Sequence, residues 1–193
     1  MTTNSKIQFL KVRNVLSPNR AYDFDAGIDF YVPQFNATFI KDLKEKNPDI
    51  FAKKECSCCN SGSLVFTTSG TLTLSGGSAS TTYVMEDKND SIIKFDDEKG
   101  LNYFLLAPHQ GVLIPSGIHV RMAEPGRALI AANKSGIASK HQLVFGAEVV
   151  DYLYQGEVHI NVINTSTKVV RIYEDMKLIQ FVETPVINSD INV

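Results

Sequence analysis

Short apolar stretches rich in β-branched and aromatic residues recur along most of the chain. They fall at 7–12 (IQFLKV), 27–32 (GIDFYV), 103–107 (YFLLA), 111–115 (GVLIP), 118–122 (IHVRM), 127–132 (RALIAA), 157–164 (EVHINVIN), 168–173 (KVVRIY) and 177–182 (KLIQFV). Pro, Gly, Asn and Asp punctuate them about every eight to twelve residues, the rhythm of an all-β sandwich or barrel. One segment breaks the rhythm. Over 36–49 (NATFIKDLKEKNPD), Phe39, Ile40 and Leu43 share a face with Lys and Glu opposite, and Asn47-Pro48 closes the stretch. That spacing predicts a short amphipathic helix. Residues 56–85 are then rich in Ser, Thr and Gly. LVFTT, TLTLS and TTYVM are candidates for a small sheet there, with Gly76-Gly77-Ser78 as a turn or loop. The chain reads as a single domain, 1–193, whose β core carries an insertion over 36–100; no internal repeat is visible.

Composition narrows the function classes. The 193 residues suffice for one well-filled core. A formal net charge of −2 gives no basic field of the kind that binds nucleic acid. No apolar run approaches the ~20 residues of a membrane span, and Met1–Lys6 opens no signal-peptide core, so a cytoplasmic address is expected. Cys56, Cys58 and Cys59 are crowded and odd in number, with His109 the nearest histidine. They are expected to be plain thiols in a reducing compartment rather than a disulfide framework or metal site. His119, His141 and His159 have no ligand spacing and read as surface or interface residues.

The chemistry lies in polar residues set into apolar surroundings. Asp29 interrupts the strand in 25–33 (DAGIDFYVP). Lys134, Ser135 and Gly136 form a turn in 132–140 (ANKSGIASK). Asp151 and Tyr154 follow an apolar run in 149–157 (VVDYLYQGE). Gln180 sits inside 175–186 (DMKLIQFVETPV).

In this order the four segments resemble the motifs of the trimeric dUTP diphosphatase (dUTPase) family. Ala26-Gly27-Ile28-Asp29-Phe30 resembles its first motif, Asn133-Lys134-Ser135-Gly136-Ile137-Ala138 its second, Val149–Glu157 its third, and the residues around Lys177-Leu178-Ile179-Gln180-Phe181, more loosely, its fourth. The segment 112–122 (VLIPSGIHVRM) is similar to the stretch preceding the second motif. Each motif alone is weak; four in order are specific. The likeness covers roughly 20–33 and 105–186 and leaves 36–100 outside.

The resemblance implies a distorted jelly-roll β-barrel that forms a homotrimer and hydrolyses dUTP to dUMP and diphosphate with Mg²⁺. Asp151 would be the base that deprotonates the attacking water. Asp29 would hold the waters of the metal or the frame of the site, since Mg²⁺ keeps several waters and takes few protein ligands. Lys134, the Ser135 hydroxyl and the amides around Gly136 would cradle phosphate, and Gln180 would donate to a phosphate or a metal-bound water. Tyr154 would pack beneath the deoxyribose and leave no room for a 2′-hydroxyl. The uracil would enter the hairpin 143–151 and bond to its backbone like an added strand.

Simpler readings stand beside these. Asp29 also fits a turn carboxylate, Asp151 a strand end, Tyr154 a core ring, Gln180 an edge residue and Lys134 a solvated charge; Glu157 fits an ion pair better than catalysis. There are departures too. Lys134 stands where the family has Arg and cannot make the bidentate fork. Leu153 replaces the third motif's second Asp, and Phe145 and Glu148 occupy the hairpin. The family's Gly-rich fifth motif has no counterpart in ETPVINSDINV, and no Arg lies between Arg20 and Arg121. The insertion is one candidate for a substitute lid. Two other functions follow from these departures: a nucleotide-binding or regulatory module with little hydrolysis, and a dCTP deaminase on the same fold. The deaminase lacks support because EVHINVIN has no Glu at the family's proton-carrying position.

Overall fold

The computed structural model describes residues 7–51 and 92–187, and these build an antiparallel, all-β jelly-roll-like fold from three sheets. The first sheet has the order β1 (Gln8–Lys11), β5 (Gly111–Arg121), β9 (Glu157–Asn164), β7 (Leu143–Phe145). The second is β10 (Val170–Tyr173), β4 (Leu101–Leu106), β3 (Lys94–Asp96). The third is β2 (Gly27–Tyr31), β11 (Lys177–Pro185), β6 (Arg127–Ala132), β8 (Val149–Asp151). Three helices are described: α1 (Ala37–Lys46), α2 (Pro48–Phe51) and α3 (Ser135–His141). No helix among the described residues is long and apolar enough to cross a membrane.

Period-two alternation puts one face of each strand inside. In β9, Val158, Ile160 and Val162 are buried while Glu157, His159 and Asn161 are half-buried. Phe30, Phe104, Ile114, Leu129, Ile160, Ile172 and Leu178, from all three sheets, are among the fully buried side chains. The edge-on pair Phe9–Phe30 at 5.6 Å ties the first sheet to the third, and the tilted pair Phe30–Phe181 at 4.7 Å packs within the third.

Two expected strands, 111–115 and 118–122, are one. β5 runs through Pro115-Ser116-Gly117 with a register shift between Pro115 and His119, and Gly117 has φ +74°. The bulge absorbs the proline, which has no N–H for the ladder. Ile118–Arg121 then pair with β1 and Gly111–Pro115 with β9.

The helix foreseen over 36–49 is α1, capped by Asn36, whose Oδ1 accepts from the Phe39 amide at 2.9 Å. It stops at Asn47, and Pro48 starts α2. This helix is no surface appendage. Phe39 and Leu43 are fully buried, Phe39 stacks on Phe35 at 5.0 Å, and Phe35 meets Phe104 at 5.8 Å. Asn47 docks it to β5: its Nδ2 donates to Leu113 O at 2.9 Å and its Oδ1 accepts from Leu113 N at 2.7 Å. At the other end of the 36–100 segment, β3 pairs with β4. The small sheet expected in 56–85 and the three cysteines lie outside the described residues, as do residues 52–91 of the insertion weighed as a substitute lid.

Candidate functional site

β2, β11 and β6 lie side by side, with Gln180 paired to Asp29 on one side and to Ala132 on the other. Ile28 and Phe30 turn into the core and Asp29 turns the other way, yet its side chain is only 3% exposed. Two ammonium groups compensate it. Lys134 Nζ donates to Oδ1, and Lys177 Nζ lies 2.9 Å from Oδ2. Oδ2 has no aligned hydrogen bond, so charge neutralises it. The bond to Asp29 in turn holds Lys177 above the ordinary lysine value. Gln180 lies across the same patch and donates from Nε2 to Asn133 O at 3.1 Å.

Lys134 leads directly into α3, so Ser135 and Gly136 form its first turn, where backbone amides have no intrahelical acceptor. No described residue bonds the Ser135 hydroxyl. The result is an open cleft of about 360 Å³ lined by Lys134, Ser135, Gly136, Lys140, His141, Lys177 and Gln180. A second cleft of about 320 Å³, lined by Asp25, Ala26, Gly27 and Asp29, shares Lys134 and Gln180 with it. Three lysines, Lys134, Lys140 and Lys177, outnumber the two carboxylates, Asp25 and Asp29, across the two clefts, so the patch suits an anion.

The third-motif residues lie elsewhere. Asp151 ends β8 opposite Ala128, whereas Gln180 faces Ala132, four positions along β6. At ~3.3 Å per residue that is about 13 Å along the strand. Within a single chain the two groups of motif residues are therefore apart. Asp151 is exposed, and no described residue hydrogen-bonds or ion-pairs its carboxylate. The following turn closes with Tyr154 N donating to Asp151 O at 3.0 Å. The Tyr154 ring, 42% exposed, is fixed by its hydroxyl donating to Glu157 O at 2.8 Å. Beside it, Val149 and Leu153 are also exposed.

The expected hairpin 143–151 has an unusual form. β7 pairs with β9 in the first sheet and β8 with β6 in the third, so the two strands diverge rather than pairing with each other. Gly146 N donates to Asn161 O at 3.0 Å and Ala131 N to Glu148 O at 2.7 Å, anchoring the ends of the turn to different sheets. Among the described residues β7 and β8 are each the end strand of their sheet, so one edge of each has no strand partner.

The structure thus gathers Asp29, Lys134, Ser135, Gly136 and Gln180 on one patch and Asp151 with Tyr154 on another. Of the two roles left open for Asp29, its contacts support the frame: both oxygens face ammonium groups rather than open space. The described residues contain no group of three His, Cys, Asp or Glu able to hold a metal. Lys177 was not singled out by sequence, although it lies three residues before Gln180. Arg13 was missed outright: its Nε and Nη2 grip the Glu157 carboxylate at 2.7 and 2.8 Å, and Nη2 also donates to Asp42 at 2.6 Å. No motif marks it. Glu157, read as an ion-pair residue, is one.

The dUTPase family model matches residues 99–193. The deoxyuridine 5′-triphosphate nucleotidohydrolase of Azoarcus sp. (strain BH72) is 36% identical over 91 residues, covering 46% of this chain and 61% of that protein. That of Paraburkholderia phymatum is 34% identical over 90 residues with the same coverage. The chain spans about three-fifths of the length of these curated relatives. Among solved structures, a mutant dUTPase from phage phi11 of S. aureus, described with a structural Mg(II) ion, superposes with a TM-score of 0.58 at 15% identity, covering 97% of this chain and 95% of that one. A Staphylococcus bacteriophage 80alpha dUTPase mutant with dUpNHpp gives 0.57 at 15% identity, covering 99% and 88%. At that identity the likeness is one of fold.

Proposed function

We propose that the protein, whose residues 99–193 match the dUTPase family model, is a dUTPase that hydrolyses dUTP to dUMP and diphosphate in a site completed between copies of the chain. The observation that carries this reading is the division of the motif residues into two exposed patches, each complementary to one end of a deoxynucleoside triphosphate. The patch of Lys134, Ser135, Lys177 and Gln180 suits the phosphates. The patch of Asp151, Tyr154 and the diverging strands β7 and β8 suits the nucleoside.

Asp151 of one copy takes a proton from a water directed at the α-phosphorus, and the bond to the bridging oxygen breaks to release diphosphate. Its lack of a partner among the described residues leaves the carboxylate available for that water. Lys134, the Ser135 hydroxyl and the first-turn amides of α3 hold phosphate oxygens, and Gln180 donates beside them. The Tyr154 ring lies under the deoxyribose and clashes with a 2′-hydroxyl. The uracil edge bonds the free backbone of the 143–151 segment, and cytosine leaves donors and acceptors unmatched. Mg²⁺ accompanies the triphosphate as part of the substrate and supplies charge neutralisation; Asp29 organises the two lysines instead of serving as its ligand. The homotrimer is the assembly in which each half-site meets its complement, and the exposed Val149 and Leu153 lie where copies would meet.

Two measurements test this. Diphosphate release from dUTP, UTP, dCTP and dTTP with Mg²⁺ should favour dUTP, while ammonia release from dCTP would identify a deaminase instead. Asp151→Asn and Ser135→Ala should each be inactive alone and regain part of the activity when unfolded, mixed and refolded together. No recovery on mixing would mean that the site lies within one chain.

A further inference from the structure

Glu157 occupies the first position of β9, directly after the turn that carries Asp151 and Tyr154. Its two ends do different things. The carboxylate is held by three donors: Arg13 Nε at 2.7 Å, Arg13 Nη2 at 2.8 Å and the Gly117 amide at 2.7 Å. The backbone oxygen accepts the Tyr154 hydroxyl at 2.8 Å. The residue that fixes the Tyr154 ring is therefore itself fixed through Arg13.

Arg13 is also tied to the helix. Its Nη2 donates to Asp42 on α1 at 2.6 Å, and α1 is keyed into the core by Phe39 and Leu43. The Arg13 and Glu157 side chains are 12% and 13% exposed, so water screens the pair weakly. A planar guanidinium spanning both carboxylate oxygens sets orientation as well as distance. The bulge in β5 makes room for it: a Cβ on Gly117 would fall 3.0 Å from Arg13 Cβ and 3.0 Å from Val15 Cγ1. Arg13 and Asp42 both lie outside the matched segment 99–193. A half-buried ion triad adds little stability over apolar side chains of the same volume. What it adds here is a stiff link between the helix at the head of the 36–100 segment and the ring beneath the sugar.

We infer that Arg13, Asp42 and Glu157 are positioning residues that hold Tyr154 for discrimination against ribonucleotides and make that discrimination depend on the seating of α1. This rests on the dUTP reading above, so the experiment carries an arm independent of turnover.

The test uses the full chain with Arg13→Lys and Asp42→Asn, each also combined with Tyr154→Phe. Asp42→Asn keeps the Arg13–Glu157 fork and loses only the charged tether, so it covers the case in which Arg13→Lys fails to fold. The dUTP/UTP ratio of kcat/KM should fall about fivefold in Asp42→Asn and about tenfold in Arg13→Lys, the effect of one weakened or lost hydrogen bond. Both effects should largely vanish when Tyr154→Phe is also present, since the hydroxyl link is then already gone. Amide exchange over residues 152–156 should speed up in both variants, with or without nucleotide. A lowered Tm with unchanged selectivity and unchanged exchange at 152–156 overturns the inference, as do equal selectivity losses with and without Tyr154→Phe. Faster exchange in a protein that does not hydrolyse dUTP sustains the link and overturns the function.

Discussion

Gly27 lies directly beneath the side-chain amide of Gln180: a Cβ on residue 27 would overlap the amide oxygen and come within 2.9 Å of Cδ. The glycine is needed for space, since its backbone is ordinary strand. The Gln180 amide oxygen lies over Gly27 in β2 while Nε2 donates to Asn133 O just past β6, and the side chain lines both clefts. Gly27→Ala should push the amide aside without disturbing the core face of β2. The expected outcome is a rise of about tenfold in KM for dUTP, the effect of one charge-assisted hydrogen bond, with a small change in Tm. Steady-state kinetics beside thermal unfolding checks it; an unchanged KM would remove Gln180 from phosphate binding.

Gly156 stands in the same relation to Tyr154. A Cβ there would meet the phenol oxygen at 2.8 Å and Cζ at 2.9 Å. Gly156→Ala should rotate the ring off the Glu157 carbonyl and loosen the sugar pocket. UTP turnover should rise relative to dUTP by more than the roughly tenfold expected of Tyr154→Phe, which keeps the ring and loses only the hydroxyl link. Equal ratios in Gly156→Ala and the parent protein would show that the ring does not read the sugar.

Much of the fold was legible because burial on one face imposes a period of two, and the nine apolar stretches between turn residues fall on eight strands, two of them on β5. Legibility failed where long-range contacts decide. Gly117 after Pro115 reads locally as a turn, but pairing with β1 and β9 keeps β5 continuous. β3, β7 and β8 are three residues each, too short for periodicity to show. For the candidate site, motif spacing singled out Asp29, Lys134, Ser135, Asp151, Tyr154 and Gln180. It did not find that Lys177 shares Asp29 with Lys134, nor that Arg13 meets Glu157 across 144 residues of sequence. Such pairings are set by sheet register, which no local pattern records.

The boundary between core and insertion can be probed through α1. Phe39 is fully buried between Phe35 and the β-sheets. Phe39→Ala should destabilise the protein by about 3–5 kcal/mol through lost transfer energy and a cavity. That corresponds to a Tm lower by roughly 10 °C for a chain of this size. Urea unfolding would measure it. A cost under about 1 kcal/mol would mean that α1 is a dispensable appendage.

Acid should destabilise the protein in two stages. Burial, then the nearby Lys46 charge, holds His159 below the ordinary histidine value of 6.5, against the opposing pull of Glu157. As pH falls below 6.5 the unfolded chain takes up this proton first, so stability declines with falling pH. Burial pushes Glu157 upward, but the Arg13 and Gly117 hydrogen bonds and the Arg13 charge outweigh it and leave the group below 4.5. Its contribution is present above 4.5 and is lost as pH drops through the folded value. Denaturant midpoints taken from neutral pH downward should show both slopes. His159→Gln should flatten the first and keep the second; Glu157→Gln should do the reverse.

The two lysines on Asp29 separate a framing carboxylate from a metal ligand. Removing one cation leaves a nearly buried charge under-compensated, a change that costs several kcal/mol in a dry interior. Lys177 is 39% exposed, so water returns part of that and about 1–2 kcal/mol is expected for Lys177→Met. Asp29→Asn alone frees both ammonium groups and should cost a similar amount. The double variant removes the charge together with its partner and should be less destabilised than the sum of the singles, a coupling that thermal or urea unfolding resolves. Binding separates the roles further. If Asp29 only arranges the lysines, Asp29→Asn raises KM for dUTP and leaves the Mg²⁺ concentration for half-maximal rate unchanged. A large shift in that concentration, with additive stabilities in the double variant, would instead make Asp29 a ligand whose lysine contacts give way when the metal-bound substrate arrives.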